Sequence, residues 1–154
     1  MRNFSNRNTK KIDRLYDIAE ENNIPIDESC PKNIKSMSVR FSDGSKIIGL
    51  SNDEDIEYTR LERLAHEMGH CITDSFYEGY SPFELREKHE YKANTWAVNK
   101  IIPFSELCEA VKSGYRELWE LAEYFSVSHC FMEKAINIHS QYGRIVPQEL
   151  YSEQ

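Results

Sequence analysis

Long hydrophobic runs are missing from this sequence, and their absence argues against a membrane protein. A helix that crosses a bilayer needs about 20 consecutive, mostly apolar residues, whereas the longest wholly apolar stretches here are only a few residues long. The first eleven residues, MRNFSNRNTKK, also lack the apolar segment of a secretory signal peptide. We therefore expect the protein to remain in the cytoplasm of the cell that makes it.

Paired cysteines are missing as well. The sequence has four cysteines, and none of them forms a CxxC pair: Cys30, Cys71, Cys108 and Cys130. Structural zinc sites and the disulfide frameworks of small secreted proteins both depend on a denser or more regular spacing. We therefore expect free thiols in a reducing compartment rather than a zinc site built from cysteine.

An excess of positive charge is also lacking. Asp and Glu number 26 against 19 Lys and Arg, which gives a formal net charge of −7. Proteins that bind nucleic acid carry a basic surface, so this balance disfavours direct binding to nucleic acid. A small basic cluster lies at the start of the chain, and we interpret residues 1–9 as a flexible, solvated tail.

The hydrophobic pattern predicts one short hairpin. Apolar residues alternate with polar ones over residues 37–41, and a second apolar run covers residues 47–50. Between them, Asp43 and Gly44 form a pair that is typical of tight turns. We predict an antiparallel hairpin over about residues 36–50. Because an isolated hairpin is only marginally stable in water, it must pack on helices.

Helical spacing dominates the rest of the chain. The predicted helices cover about residues 10–23, 55–74, 83–102, 105–113, 116–125 and 128–141. The fold class is therefore α+β and mainly helical, with a small antiparallel sheet packed on the helices. We expect residues 1–154 to form a single domain, in which residues 104–142 make a helical C-terminal subregion.

The predicted helix over residues 55–74 carries the sequence His66-Glu67-Met68-Gly69-His70. Histidines four residues apart lie on one face of an α-helix, where two neutral imidazoles can bind one Zn²⁺. Glu67 is rotated by about 100° from His66, so it can reach a water held at the metal without being a ligand. This arrangement is typical of a general base that deprotonates the water and later protonates the leaving amine.

A catalytic zinc also needs a third protein ligand and one open position. The next predicted helix offers Glu87, His89 and Glu90. Neighbouring helical residues point about 100° apart, so only one of His89 and Glu90 can face the metal, and the residues alone leave the two as rivals. Asn94 lies four residues beyond Glu90, on the same face, where it can orient a ligand from behind.

Three segments follow one another in a specific order: LERLAHEMGH over residues 61–70, EYKANTWA over residues 90–97, and IIP over residues 101–103. In this order they resemble the ImmA/IrrE family of metallopeptidases. The family pattern is an AHExGH helix, an ExxAN helix with a following aromatic residue and alanine, and an apolar pair before proline. The resemblance extends over about residues 15–138, and the ordered combination is far more specific than either helix motif alone.

The resemblance implies a zincin-like fold in which His66, His70 and Glu90 bind one Zn²⁺ and Glu67 is the general base. It thereby favours Glu90 over His89. It also implies a zinc-dependent endopeptidase whose protein substrate is a helix-turn-helix repressor, cleaved to relieve repression in a phage or mobile element. An extended substrate is expected to pair with the second strand of the hairpin. The residues of that strand are Lys46, Ile47, Ile48, Gly49 and Leu50.

Two other functions compete with this one. A non-catalytic anti-repressor or toxin–antitoxin-like protein would keep the fold and act by binding, but it would not need Glu67 beside the metal. The spacing over residues 118–138 resembles a DNA-binding helix-turn-helix, yet glutamates outnumber cations there, so we predict core packing instead. The candidates for stabilising an oxyanion are Tyr80, Tyr91 and His129.

Overall fold

Six helices and three strands make up the part of the chain that the computed structural model describes, residues 4–52 and 57–143. In chain order they are α1 (Phe4–Glu21), β1 (Ile26–Cys30), β2 (Ser36–Arg40), β3 (Lys46–Ser51), α2 (Glu57–Thr73), α3 (Phe83–Ile101), α4 (Phe104–Lys112), α5 (Leu118–Phe125) and α6 (His129–Gln141). The predicted α+β, mainly helical class is confirmed. Within these two ranges no helix combines the length and the apolar character required to cross a bilayer.

Helix α1 begins six residues earlier than the apolar spacing indicated, so residues 4–9, predicted as a flexible tail, are helical. Polar contacts with the far end of α5 explain the extension. Asn8 is buried and its side-chain amide donates a hydrogen bond to the Ser126 carbonyl at 3.0 Å. The Arg7 guanidinium lies 4.7 Å from the centre of the Tyr124 ring. Polar contacts between segments far apart in the sequence cannot be predicted from the spacing of apolar residues.

The sheet has the strand order β1-β3-β2. Strands β2 and β3 pair antiparallel from Ser36↔Leu50 to Arg40↔Lys46, which confirms the predicted hairpin. Strand β1 was not predicted, because its sequence, IDESC, has three polar residues in the middle and is half-buried only at its ends. It pairs parallel to β3. As a result β3 is the central strand and β2 is an edge strand of the sheet.

Helix α2 lies at the centre of the core and contacts α1, α3, β2 and β3. Four of its apolar side chains are fully buried: Leu61, Leu64, Ala65 and Met68. Its closest neighbour is α3, which approaches at Gly69. A Cβ atom added to Gly69 would lie 2.3 Å from the backbone oxygen of Ala93. The missing side chain therefore lets the two helices that carry the candidate ligands come into backbone contact.

The residues of the helix-turn-helix-like spacing face the core. Six of them are buried, namely Leu121, Ala122, Val127, Phe131, Ala135 and Ile138, and Leu118 is partly buried against the core. The prediction of core packing for this segment is confirmed. The four cysteines are free thiols, of which Cys71 is buried and Cys130 is exposed.

Glu62 ties α2 to the start of α6. Its carboxylate accepts hydrogen bonds from the Ser128 backbone N–H at 2.5 Å and from the Ser128 hydroxyl at 2.9 Å. Burial raises the pKa of Glu62, and the two hydrogen bonds from Ser128 oppose that rise. Ser128 also caps the helix, because its hydroxyl accepts a hydrogen bond from the Phe131 N–H at 3.1 Å.

We expect Glu62→Ala to lower the melting temperature, because it removes both acceptors from the half-buried Ser128. Hydrogen bonds to a charged acceptor contribute about 1.5–3 kcal/mol, so we expect a loss of about 1–3 kcal/mol in the free energy of unfolding. Denaturant unfolding followed by circular dichroism measures it. Glu109→Ala, which removes an exposed carboxylate from α4, is the control. Equal stability of the two variants would contradict a stabilising role for Glu62.

Candidate metal centre

Helices α2 and α3 bring two imidazoles and one carboxylate to a common point. The Nε2 atoms of His66 and His70 lie 3.2 Å apart. The Glu90 carboxylate spans them, with Oε2 at 3.2 Å from His66 Nε2 and Oε1 at 3.2 Å from His70 Nε2. Among the described residues, these three side chains form a group whose ligand atoms all lie within 4.8 Å of one another. The three residues predicted as ligands are therefore in one place.

Each histidine is held from behind by an oxygen acceptor. Asn94 Oδ1 lies 3.0 Å from His66 Nδ1, and the Ser75 carbonyl lies 2.6 Å from His70 Nδ1. The Lys134 ammonium also donates to Asn94 Oδ1, at 3.2 Å, which agrees with an oxygen at this position. Because both acceptors require a hydrogen on Nδ1, both Nε2 atoms present their lone pairs to the centre. Asn94 lies where the sequence placed an orienting residue.

The donor set fits a metal ion. Two imidazole nitrogens at about 2.0–2.1 Å from a tetrahedral zinc would lie about 3.3 Å apart, and the observed separation of the Nε2 atoms is 3.2 Å. Two neutral imidazoles and one carboxylate also leave the fourth position open, as a catalytic site requires. The three side chains are accordingly arranged to hold a metal ion.

The electrostatics of the triad favour an ionised carboxylate. When the imidazoles carry a second proton, hydrogen bonds from His66 and His70, together with one from the Tyr77 hydroxyl, hold the pKa of Glu90 far below its usual range. Burial lowers the pKa of His70, but hydrogen bonds to Glu90 and to the Ser75 carbonyl outweigh it, so the net shift is upward.

Glu67, the predicted general base, lies beside the triad and is not part of it. Its side chain is 7% exposed, and it lines the same depression as His66, His70 and Glu90, a space of about 270 Å³. The Ser36 hydroxyl donates a hydrogen bond to Glu67 Oε1 at 2.9 Å. One carboxylate oxygen is thus held by β2, while the residue faces the space in which a substrate would lie.

His89, the rival third ligand, lies outside the group of ligand atoms. Its ring stacks on Tyr77, with the ring centres 6.5 Å apart and the planes 22° from parallel. The rotation of about 100° between neighbouring helical residues explains why Glu90 and not His89 meets the two histidines. Glu87 is exposed on the same helix.

Tyr77 is the aromatic residue that the sequence did not reveal. Its hydroxyl donates to Glu90 Oε1 at 2.7 Å, and this hydrogen bond raises the pKa of Tyr77. Of the three predicted oxyanion candidates, Tyr80 lines a neighbouring depression, Tyr91 lines one beside Trp96, and His129 is exposed at the start of α6. Ser36 was also missed. Neither residue belongs to a motif, because both reach the site through loops and strands rather than through helical spacing.

The strand predicted to receive a substrate is not available for pairing. Strand β3 pairs with β2 from Lys46 to Leu50 and with β1 from Ile48 to Ser51, so it is the central strand of the sheet. The Lys46 ammonium donates to the Cys71 carbonyl at 2.7 Å and lies 3.3 Å from the Asp74 carboxylate, which ties β3 to the end of α2. The prediction of strand addition at β3 is therefore wrong. Strand β2, whose Met37 and Ser38 line the depression, is an outer strand that pairs only with β3 among the residues that the structure describes.

Comparison with known proteins agrees with this geometry. The model of the IrrE N-terminal-like domain family, Peptidase_M78, matches residues 19–137, which include both helices of the triad. Neither a curated protein nor a solved structure gave a significant match. The match covers well over half of the chain and all of the residues predicted as ligands. The chain therefore belongs to the IrrE N-terminal-like domain family, a family of metallopeptidases.

Proposed function

We propose that this protein is a zinc-dependent endopeptidase. The observation that carries the proposal is the convergence of His66, His70 and Glu90, with the buried Glu67 lining the same depression. A protein that acted only by binding would not require a carboxylate beside the ligands. Zinc is proposed because two histidines four residues apart on α2, with a glutamate beside the first, are the arrangement of zinc metallopeptidases.

In the proposed reaction the water oxygen forms a bond to the scissile carbonyl carbon, the C–N bond breaks, and a proton of the water passes to the leaving nitrogen. A bound zinc ion would polarise the water and the scissile carbonyl. Glu67 takes the proton from the attacking water and delivers it to the leaving nitrogen. Ser36 holds one oxygen of that carboxylate. Asn94 and the Ser75 carbonyl keep the two imidazoles in the orientation that exposes Nε2.

The proposed substrate is an extended protein segment that adds to the outer edge of β2. This replaces the predicted pairing with β3, and it puts the scissile bond next to the triad, because Met37 and Ser38 line the same depression. Main-chain hydrogen bonds to an edge strand bind a peptide with little regard to its sequence. The identification of the substrate as a helix-turn-helix repressor, in a phage or mobile element, is supported by the family resemblance alone.

Metal content tests the proposal first. We expect about one zinc per chain in the purified protein, lost in His66→Ala and kept in Glu67→Gln, as measured by mass spectrometry of the metal. The matched control is His129→Ala, which removes an exposed histidine from the start of α6. A wild-type protein that binds no metal, even after zinc is added back, would contradict the peptidase proposal.

A further inference from the structure

Three adjacent depressions follow β2 from one end to the other. The middle one holds the triad. A second depression, with a volume of about 200 Å³, lies at the Ser36 end of β2 and shares His66 with the middle one. The third, about 420 Å³, begins at Ser38 and shares Phe76 and Tyr77 with the middle one. Because neighbouring depressions share side chains, they lie side by side along the edge strand, and we refer to the three together as the cleft, with the triad in the middle.

The end of the cleft at Ser36 is basic. Its lining includes Arg63 and Lys134, and its carboxylate, Glu62, is engaged by Ser128. The Lys134 ammonium is exposed and has three N–H donors, of which Asn94 accepts one. The lining of this end therefore carries two cations against one carboxylate, and a carboxylate that enters it would meet a net positive charge.

The opposite end of the cleft has apolar and aromatic side chains set among polar ones, and it carries one exposed carboxylate, Glu78. Its walls include Val39, Phe76, Tyr80 and Leu85. The cation there, Arg40, is already engaged, because its guanidinium lies 2.8 Å from the Asp74 carboxylate and 5.2 Å from the centre of the Phe76 ring. Tyr80 is 84% exposed and Leu85 42% exposed, so both have apolar surface that a ligand can cover.

We infer that the cleft selects protein segments with an acidic side chain on one side of the scissile bond and a large apolar side chain on the other. Ser36 and Val39 are three residues apart on β2, a span of about 10 Å at about 3.3 Å per residue. The two selected side chains should therefore be separated by about three or four positions. This inference rests on the proposed peptidase function, and it holds for a substrate bound in either chain direction.

A random decapeptide library tests the inference in two ways. In the first, the zinc-loaded wild-type protein digests the library, and mass spectrometry identifies the residues on both sides of each cut. In the second, the zinc-loaded Glu67→Gln variant captures intact peptides from the same library. We expect Asp or Glu over Gln by about fivefold at the basic end, and Leu or Phe over Ala by about tenfold at the apolar end.

Variants assign each preference to its end of the cleft. Lys134→Gln should reduce the acidic preference and leave the apolar one, whereas Lys134→Arg should keep both. Leu85→Ser should weaken only the apolar preference. The matched control is Lys112→Gln, which removes an exposed cation from α4, outside the cleft. Ratios between peptides are compared, so a change in overall activity through Asn94 does not affect the result.

The outcomes separate this inference from the proposed function. Cuts without either preference would overturn the inference and leave the peptidase standing. Captured peptides with both preferences, but no cuts by the wild-type protein, would support the cleft and overturn the peptidase. Captured peptides that are random in sequence, or no capture above background, would overturn the inference whatever the wild-type protein cleaves.

Discussion

Gly69→Ala is expected to push α2 and α3 apart and to abolish stoichiometric metal binding. The added Cβ would lie 2.3 Å from the Ala93 oxygen and 2.9 Å from the Ala93 carbonyl carbon and Cα, distances that real Cβ atoms do not show. The obstacle is backbone inside a helix, which cannot rotate away as a side chain can. In a solvent-exposed helix, Gly→Ala would stabilise the protein by about 1 kcal/mol. A loss of stability in Gly69→Ala would therefore indicate that α2 and α3 are in contact at this residue.

We expect Gly69→Ala to lower the free energy of unfolding by more than the usual cost of overpacking, about 1–3 kcal/mol. The reason is that the clash can be relieved only if a whole helix moves. Thermal unfolding and metal content are both measured, since the His66–Glu90 distance depends on the same contact. Gly79→Ala is the matched control, because nothing lies within 4 Å of its added Cβ. A Gly69→Ala variant that melts like the wild type and binds one zinc per chain would show that the two helices do not touch there.

Glu67→Gln is expected to lower kcat by roughly 10²–10⁴-fold, the usual contribution of a positioned general base. Glutamine has nearly the same shape and can still accept the hydrogen bond from Ser36, but it cannot take a proton from water. Metal content and melting temperature should stay close to those of the wild type, because Glu67 is not one of the three grouped ligand residues. The rate is measured on a peptide that the wild-type protein cuts.

The control for loss of negative charge is Glu87→Gln, an exposed carboxylate of α3 that should leave kcat unchanged. Ser36→Ala provides a second comparison, since it removes one hydrogen bond from Glu67 and should reduce kcat by less than Glu67→Gln does. Activity near the wild-type level in Glu67→Gln would show that another group takes the proton. Loss of both metal and activity would make Glu67 a structural residue.

The sequence predicted those features that depend on local periodicity. Histidines four apart must share a helix face, so His66 and His70 could be paired without a structure. Alternation around Asp43-Gly44 was enough for the hairpin, because the period of a strand and the chemistry of its turn are both local. The same spacing argument narrowed the third ligand to His89 or Glu90 but could not choose between them. That choice came from the family resemblance, and the helix contact at Gly69 supplies its physical basis.

What the sequence determined by itself is the helix with both histidines and the base, the hairpin, and the second helix with its ligand candidates. Only the tertiary structure decided that β1 pairs with β3, and hence that β2 is an outer strand beside the metal centre. It also decided that Tyr77 and Ser36 hold the two carboxylates. The physical reason is that periodicity records which face of an element is buried, whereas the contacts between elements depend on how those faces pack.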